Sequence, residues 1–140
     1  KLLLILERYR PETWMLERAQ SLLDIALEKS WDADNGGMHY SFAPDGTILD
    51  TDRYYWVLSE TFAAAASMAM RTGNDKYWVW YDKAWDFADQ YLVDHKYGAW
   101  YRILDGNNKK YDDLKSPPSK TDYHPLAACY ETLEAMRNFA

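Results

Sequence analysis

Trp31-Asp32-Ala33-Asp34-Asn35-Gly36-Gly37-Met38-His39-Tyr40-Ser41-Phe42 and Val93-Asp94-His95-Lys96-Tyr97-Gly98-Ala99-Trp100-Tyr101-Arg102-Ile103-Leu104 superpose without a gap at an offset of 62 residues, Asp32 falling on Asp94 and Gly36 on Gly98. The chain therefore contains an internal repeat. The first copy runs on into Pro44-Asp45-Gly46 and the second into Asp105-Gly106. An extended stretch that ends in Asp-Gly predicts a small β-hairpin on each loop.

On either side of these loops the pattern is helical. Lys1 to Tyr9 reads as the end of one helix, closed at Pro11. A second is expected from about Glu12 to Ser30, with Met15, Leu16, Ala19, Leu22, Leu23, Ala26 and Leu27 at helical spacing. A third is expected from about Tyr54 to Arg71, stopping at Thr72-Gly73-Asn74, and a fourth from about Lys76 to Val93. The fifth opens near His124-Pro125 and heads toward Asn138. Helix, tight turn, helix, long hairpin-bearing loop is the unit of a toroid of nested helix pairs. The third helix suits an inner place, because Ala63, Ala64, Ala65, Ala66 and Ala69 are small enough for crowding on all sides. The starts of the third and fifth helices should then share one rim.

The 140 residues suffice for one domain, and 48% hydrophobic residues give it a sizeable core. A net charge of -6 without a lysine or arginine run argues against nucleic-acid and anionic-membrane partners, whose phosphates would repel the chain. The single cysteine, Cys129, excludes an internal disulfide and fits a reduced, cytoplasmic setting and a buried helix position. No stretch approaches the ~20 apolar residues of a membrane span. The apolar run from Leu2 to Leu6 begins abruptly, without a cap, and reads as a helix entered midway, so a fragment is expected. The 7 Trp and 12 Tyr against 4 Phe lean toward carbohydrate, since flat rings with a polar handle suit sugars, although packing between helices uses the same residues.

His124 is the sharpest candidate for chemistry. It stands where the last helix starts, and a helix N-terminus disfavours added positive charge, so the place suits a proton-accepting ring. A capping histidine without a role is the other reading. Glu60 lies one turn into the alanine-rich helix on the face of Trp56, where a carboxylate needs a partner or a polar cavity. A buried ion pair with Arg53 is the plain alternative. His39 and His95 occupy unmatched places in the two loops and read as surface residues, and Asp112-Asp113 reads as solvated. Three scattered histidines and one cysteine make no metal pattern, and Gly36-Gly37 continues into an extended segment, so it is no phosphate loop.

Lys115-Ser116-Pro117-Pro118-Ser119-Lys120-Thr121-Asp122-Tyr123-His124-Pro125-Leu126, Arg53-Tyr54-Tyr55-Trp56-Val57-Leu58-Ser59-Glu60 and the loop from Gly98 to Tyr101 together resemble motifs of the N-acylglucosamine 2-epimerase family. The resemblance covers essentially the whole chain. It implies an all-α (α/α)6 barrel, of which residues 1–140 would form the C-terminal portion of a single catalytic domain. It also implies proton transfer at the carbon next to a sugar carbonyl, through an enediolate-like intermediate and without a redox cofactor. By that resemblance His124 and Glu60 are catalytic, and Arg53, Trp56 and Lys120 contact the substrate. A second histidine is implied in a segment ahead of Lys1. Aldose–ketose isomerisation of a mannose-like sugar is the expected reaction, with 2-epimerisation of an N-acylglucosamine or cellobiose as the near alternative. A monosaccharide or disaccharide is the expected partner, and a homodimer is compatible with it. A glycoside hydrolase using carboxylates such as Glu60, or a non-catalytic helical-repeat binding module, are the more distant alternatives.

Overall fold

The computed structural model describes residues 1–137, and among these the chain forms five helices and four short strands. Helices α1 (Leu2–Tyr9) and α2 (Met15–Ser30) make the first hairpin, α3 (Tyr55–Thr72) and α4 (Lys76–Tyr91) the second, and α5 (Tyr123–Arg137) follows the second long loop. Asn138, toward which the last helix was expected to run, lies outside the described residues. Helix α2 starts later than expected because residues 12–15 first close a turn, the Met15 N–H donating to the Glu12 carbonyl at 3.1 Å. Helix α3 ends where Gly73 turns left-handed, at φ 66°, and its N–H caps the Ala69 carbonyl at 2.8 Å. Helix α4 stops short of Val93, whose N–H turns back to the Ala88 carbonyl while the residue pairs with Trp100 across the loop.

Helix α3 is the centre of the molecule and packs against both α4 and α5. Ala63, Ala65 and Ala66 have no exposed surface, which is what close approach on several sides demands. One apolar cluster gathers Phe62, Leu58, Phe87, Leu92 and Trp100, and a second joins Met68 and Ala69 to Leu4, Leu27 and Tyr77. Each fully buried large side chain there contributes about 1.5–3 kcal/mol. A bidentate pair, Arg71 to Glu7 at 2.9 and 2.8 Å, ties α3 to α1. Among the described residues no helix is long and apolar enough to cross a membrane.

The repeat holds in the hydrogen bonds around its aspartate. The Asp32 N–H donates to the Gly37 carbonyl and the Asp94 N–H to the Ala99 carbonyl, both at 2.9 Å. One oxygen of Asp32 accepts the N–H groups of Asp34 and Asn35 at 2.9 and 3.1 Å; one oxygen of Asp94 accepts those of Lys96 and Tyr97 at the same two distances. The other oxygen meets a cation in each copy, Arg53 Nη2 at 2.6 Å and Lys115 Nζ at 2.5 Å. Arg53 and Lys115 are again 62 apart. Beyond them the register breaks: α3 starts two residues after Arg53, whereas α5 starts eight residues after Lys115. Residues 116–121 are thus a six-residue insertion in the second copy.

The expected hairpins form unequally. β1 (Ser41–Phe42) pairs antiparallel with β2 (Ile48–Asp50) as the Asp-Gly turn demands. The second hairpin is reduced to one bridge, Leu104 with Lys110. Its strand, β4 (Ile103–Leu104), pairs instead with β3 (Arg53–Tyr54), Arg53 opposite Leu104 and Tyr54 opposite Ile103. The two loops are stitched together just before α3 begins.

Candidate active site

His124 is the second residue of α5 and Trp56 the second of α3, so the two neighbouring helices present them at the same level of one rim. Their ring centroids lie 5.5 Å apart with planes tilted 35°, and Tyr123 lies 4.2 Å from the imidazole. The His124 side chain is only 11% exposed. One turn after Trp56, Glu60 Oε1 stands 2.8 Å from His124 Nδ1. An ionised carboxylate can only accept, so Nδ1 carries the hydrogen and Nε2 of the neutral ring keeps a free lone pair.

Glu60 is itself held. Its Oε2 accepts from Lys1 Nζ at 2.6 Å, and the same ammonium lies 2.9 Å from Glu131 Oε2. Burial is the largest single influence on the Glu60 carboxyl and pushes it up; the bonds from His124 and Lys1, with the lysine charge, outweigh burial and hold it below the usual carboxylate range. For Lys1, burial likewise opposes the charge, and Glu60 and Glu131 overcome it to raise the ammonium. Lys120 places its ammonium 4.2 Å from the centre of the Trp56 ring. A cavity of about 230 Å³ opens beside that ring, walled by Tyr40, Tyr54, Trp56, Pro117 and Lys120. A larger hollow of about 450 Å³ lies between α1, α3 and α5, lined by Leu4, Ser67, Arg71 and Ala135, and none of the rim residues borders it.

His124, Glu60, Trp56 and Lys120 thus come together. Arg53 does not join them. Its side chain is wholly buried, and its guanidinium donates to Asp32, to the Gly36 carbonyl at 3.2 Å, to the Thr51 carbonyl and to His39 Nδ1 at 2.8 Å. Neither a sugar contact nor the anticipated pair with Glu60 survives that geometry; Arg53 is the lock of the first loop. His39 is likewise no surface residue, being 14% exposed. Burial first, then the Arg53 charge, lowers its pKa and keeps it neutral, with Nδ1 as acceptor. His95 is on the surface, 64% exposed, and donates from Nε2 to the Asp89 carbonyl at 2.8 Å. Asp112 is not simply solvated either, since Arg102 pairs with it. Cys129 is half-buried against the main cluster, where burial pushes its thiol up.

Lys1, Glu131 and Tyr123 escaped the sequence reading. Lys1 and Glu131 carry no motif, and Lys1 comes between Glu60 and Glu131 only when α1 and α5 flank α3. Tyr123 had a signal, for Tyr55-Trp56 and Tyr123-His124 open their helices alike. Chemically, the rim offers a proton-accepting nitrogen backed by a carboxylate, an aromatic face for an apolar ring surface, and an ammonium beside that face.

The family model described as N-acylglucosamine 2-epimerase (GlcNAc 2-epimerase) matches residues 1–128. A D-mannose isomerase of Marinomonas mediterranea is 49% identical over 136 residues, 97% of this chain and 34% of that protein. The crystal structure of a D-mannose isomerase superposes with a TM-score of 0.93 at 50% identity, over 95% of this chain and 34% of the other. The cellobiose 2-epimerase of Spirochaeta thermophila, at 19% identity and a TM-score of 0.80 over 96% of this chain and 36% of its own, shares the fold. The chain spans about a third of the length of each, and its five helices take their place in the helical barrel of those proteins.

Proposed function

This chain belongs to the N-acylglucosamine 2-epimerase family, and we propose that the enzyme carrying it moves a proton at the carbon next to a sugar carbonyl, interconverting a mannose-like aldose and its ketose. The observation that carries this reading is the 2.8 Å bond between His124 Nδ1 and Glu60 Oε1 on a rim shared with Trp56 and Lys120. His124 Nε2 takes the proton, the C–H electron pair becomes the C=C bond of an enediolate, and the carbonyl oxygen gains the negative charge. Glu60 stabilises the imidazolium formed, as a carboxylate bonded to the far nitrogen does in other acid–base sites. Trp56 offers its face to the sugar ring, and the Lys120 ammonium beside it is a donor for the developing oxyanion.

Return of the proton to the neighbouring carbon on the same face, with the proton of the neighbouring hydroxyl passing to the former carbonyl oxygen, gives isomerisation and needs one base at carbon, whereas epimerisation needs a second group on the opposite face. The 49% identical relative is named a D-mannose isomerase, which supports isomerisation. A hydrolase would need a carboxylic acid kept protonated, and Glu60 is pushed the other way. An acidic chain without a basic patch fits an enzyme of free sugars in the cytoplasm.

The test is proton exchange by the full-length protein in heavy water, followed by NMR with mannose and with fructose. Deuterium should enter the carbon next to the carbonyl, and His124→Gln should cut turnover by about 10²–10⁴-fold. Undiminished turnover in His124→Gln would remove the base, and absence of both interconversion and exchange with any common aldose or ketose would leave a binding module in its place.

A further inference from the structure

We propose that Tyr55 and Lys115 are positioning residues for His124, pinning the two ends of the six-residue insertion at residues 116–121 that leads into α5. Their effect on turnover rests on the proton-transfer reading; their effect on the place of the imidazole does not.

In the first copy of the repeat the chain passes from its lock, Arg53 on Asp32, to α3 in two residues, and little is left to be held. In the second copy eight residues separate Lys115 from α5, and the inserted segment carries Lys120 onto Trp56. Pro117 and Pro118 within it have no N–H to donate. At the entrance, Lys115 Nζ meets Asp94, which is 6% exposed, and lies 3.8 Å from the Tyr101 ring centre. At the exit, Tyr55, 1% exposed and adjacent to Trp56, donates its hydroxyl to the Thr121 carbonyl at 2.7 Å.

Thr121 needs such a hold. Its φ is 46°, in the left-handed region, where a β-branched residue is strained. Besides Tyr55, the turn is kept by the N–H groups of Lys120 and Thr121, which donate to the Pro117 carbonyl at 3.0 and 2.7 Å, and by the bond between Ser116 and Asp122. His124 follows three residues later, in the opening turn of α5, where no neighbouring helical turn precedes it to fix the backbone. Release of either pin frees the segment that sets where this turn begins, and so the distance from the imidazole to Glu60 and the place of Lys120 over the indole.

The experiment uses the full-length protein with Tyr55→Phe, Lys115→Met and Lys115→Arg. Diethyl pyrocarbonate modification of His124 is timed by peptide mass mapping, with His95 as the exposed internal reference, beside kcat, KM and the melting temperature. Tyr55→Phe and Lys115→Met should each raise the His124 rate relative to His95 by about fivefold, the factor that one lost hydrogen bond allows. Both should lower kcat by about tenfold or more with a smaller change in KM, as misplacement by a fraction of an ångström does. Lys115→Arg should behave as the parent, because arginine fills the matching place at Arg53. Unchanged His124 rates in both Tyr55→Phe and Lys115→Met, or a Lys115→Arg no better than Lys115→Met, would overturn the pins. Should Lys115→Met not fold, Tyr55→Phe, which removes one hydroxyl, decides alone. Raised His124 rates in a protein whose parent turns over no sugar would uphold the pins and overturn the proton-transfer reading; unchanged rates beside active turnover would do the reverse.

Discussion

The His124 imidazole leans on Glu60, and Glu60 leans on Lys1, so a change at the carboxylate reaches the base without touching the substrate. In Glu60→Gln an amide oxygen can still accept from Nδ1, but the charge that stabilises imidazolium is gone. Steady-state kinetics of that variant should show kcat lower by about 10–10²-fold with KM little changed, the signature of an interaction made mainly in the transition state. The same carboxylate links stability to pH. Its folded pKa lies below the ordinary 4.5, so its stabilisation is complete above about pH 4.5 and is lost as acid protonates the folded form. Melting temperature followed from pH 6 down to 3 should therefore fall more shallowly in Glu60→Gln than in the parent. The proximity of His124 and Glu60 was legible from two helix starts expected on one rim. That Lys1, and not Arg53, supplies the cation was not, because an ion pair leaves no periodic trace in sequence.

At the level of elements, the two loops show how one motif serves two settings. Gly36 and Gly98 both have positive φ, 74° and 77°, as does Gly37 at 81°, whereas its counterpart Ala99 manages φ 63° with a side chain. Backbone strain alone is thus tolerated; contact decides. A Cβ on Gly37 would meet Phe87 Cζ at 2.6 Å and Arg53 Cδ at 2.9 Å, and one on Gly98 would meet nothing within 4 Å. Thermal or urea unfolding should find Gly37→Ala destabilised by on the order of 3 kcal/mol, from strain and overpacking together, and Gly98→Ala by about 1 kcal/mol. Equal losses would mean that the Arg53–Phe87 packing is softer than its geometry. The repeat was plain in the sequence because it is a pattern along the chain. The pairing of β4 with β3 was not, since a two-residue strand takes whichever edge the fold brings beside it.

Across the molecule, apolar side chains stand exposed in stripes on the first and last helices: Leu2, Leu6 and Tyr9 on α1, and Leu126, Tyr130 and Leu133 on α5, all at least 45% exposed. A chain spanning a third of its relatives, in a fold where each helix pair buries its face on the next, should therefore be adhesive by itself. Expressed alone it should bind a dye such as ANS and sediment as a mixture of associated species, while the full-length protein does neither. A monomeric, dye-free chain would show that α1 and α5 need no neighbours. What the sequence determined by itself was whatever depends on spacing: five helices, two homologous loops, an alanine-rich helix at the centre, and His124, Trp56 and Glu60 at helix starts facing one rim. Tertiary structure decided which charges met: Arg53 went into the first loop, Lys1 under Glu60, Lys115 onto Asp94 and Lys120 over Trp56. Periodicity is local and survives in the order of residues, whereas an ion pair forms between whichever opposite charges packing leaves within about 4 Å of each other and shields from water.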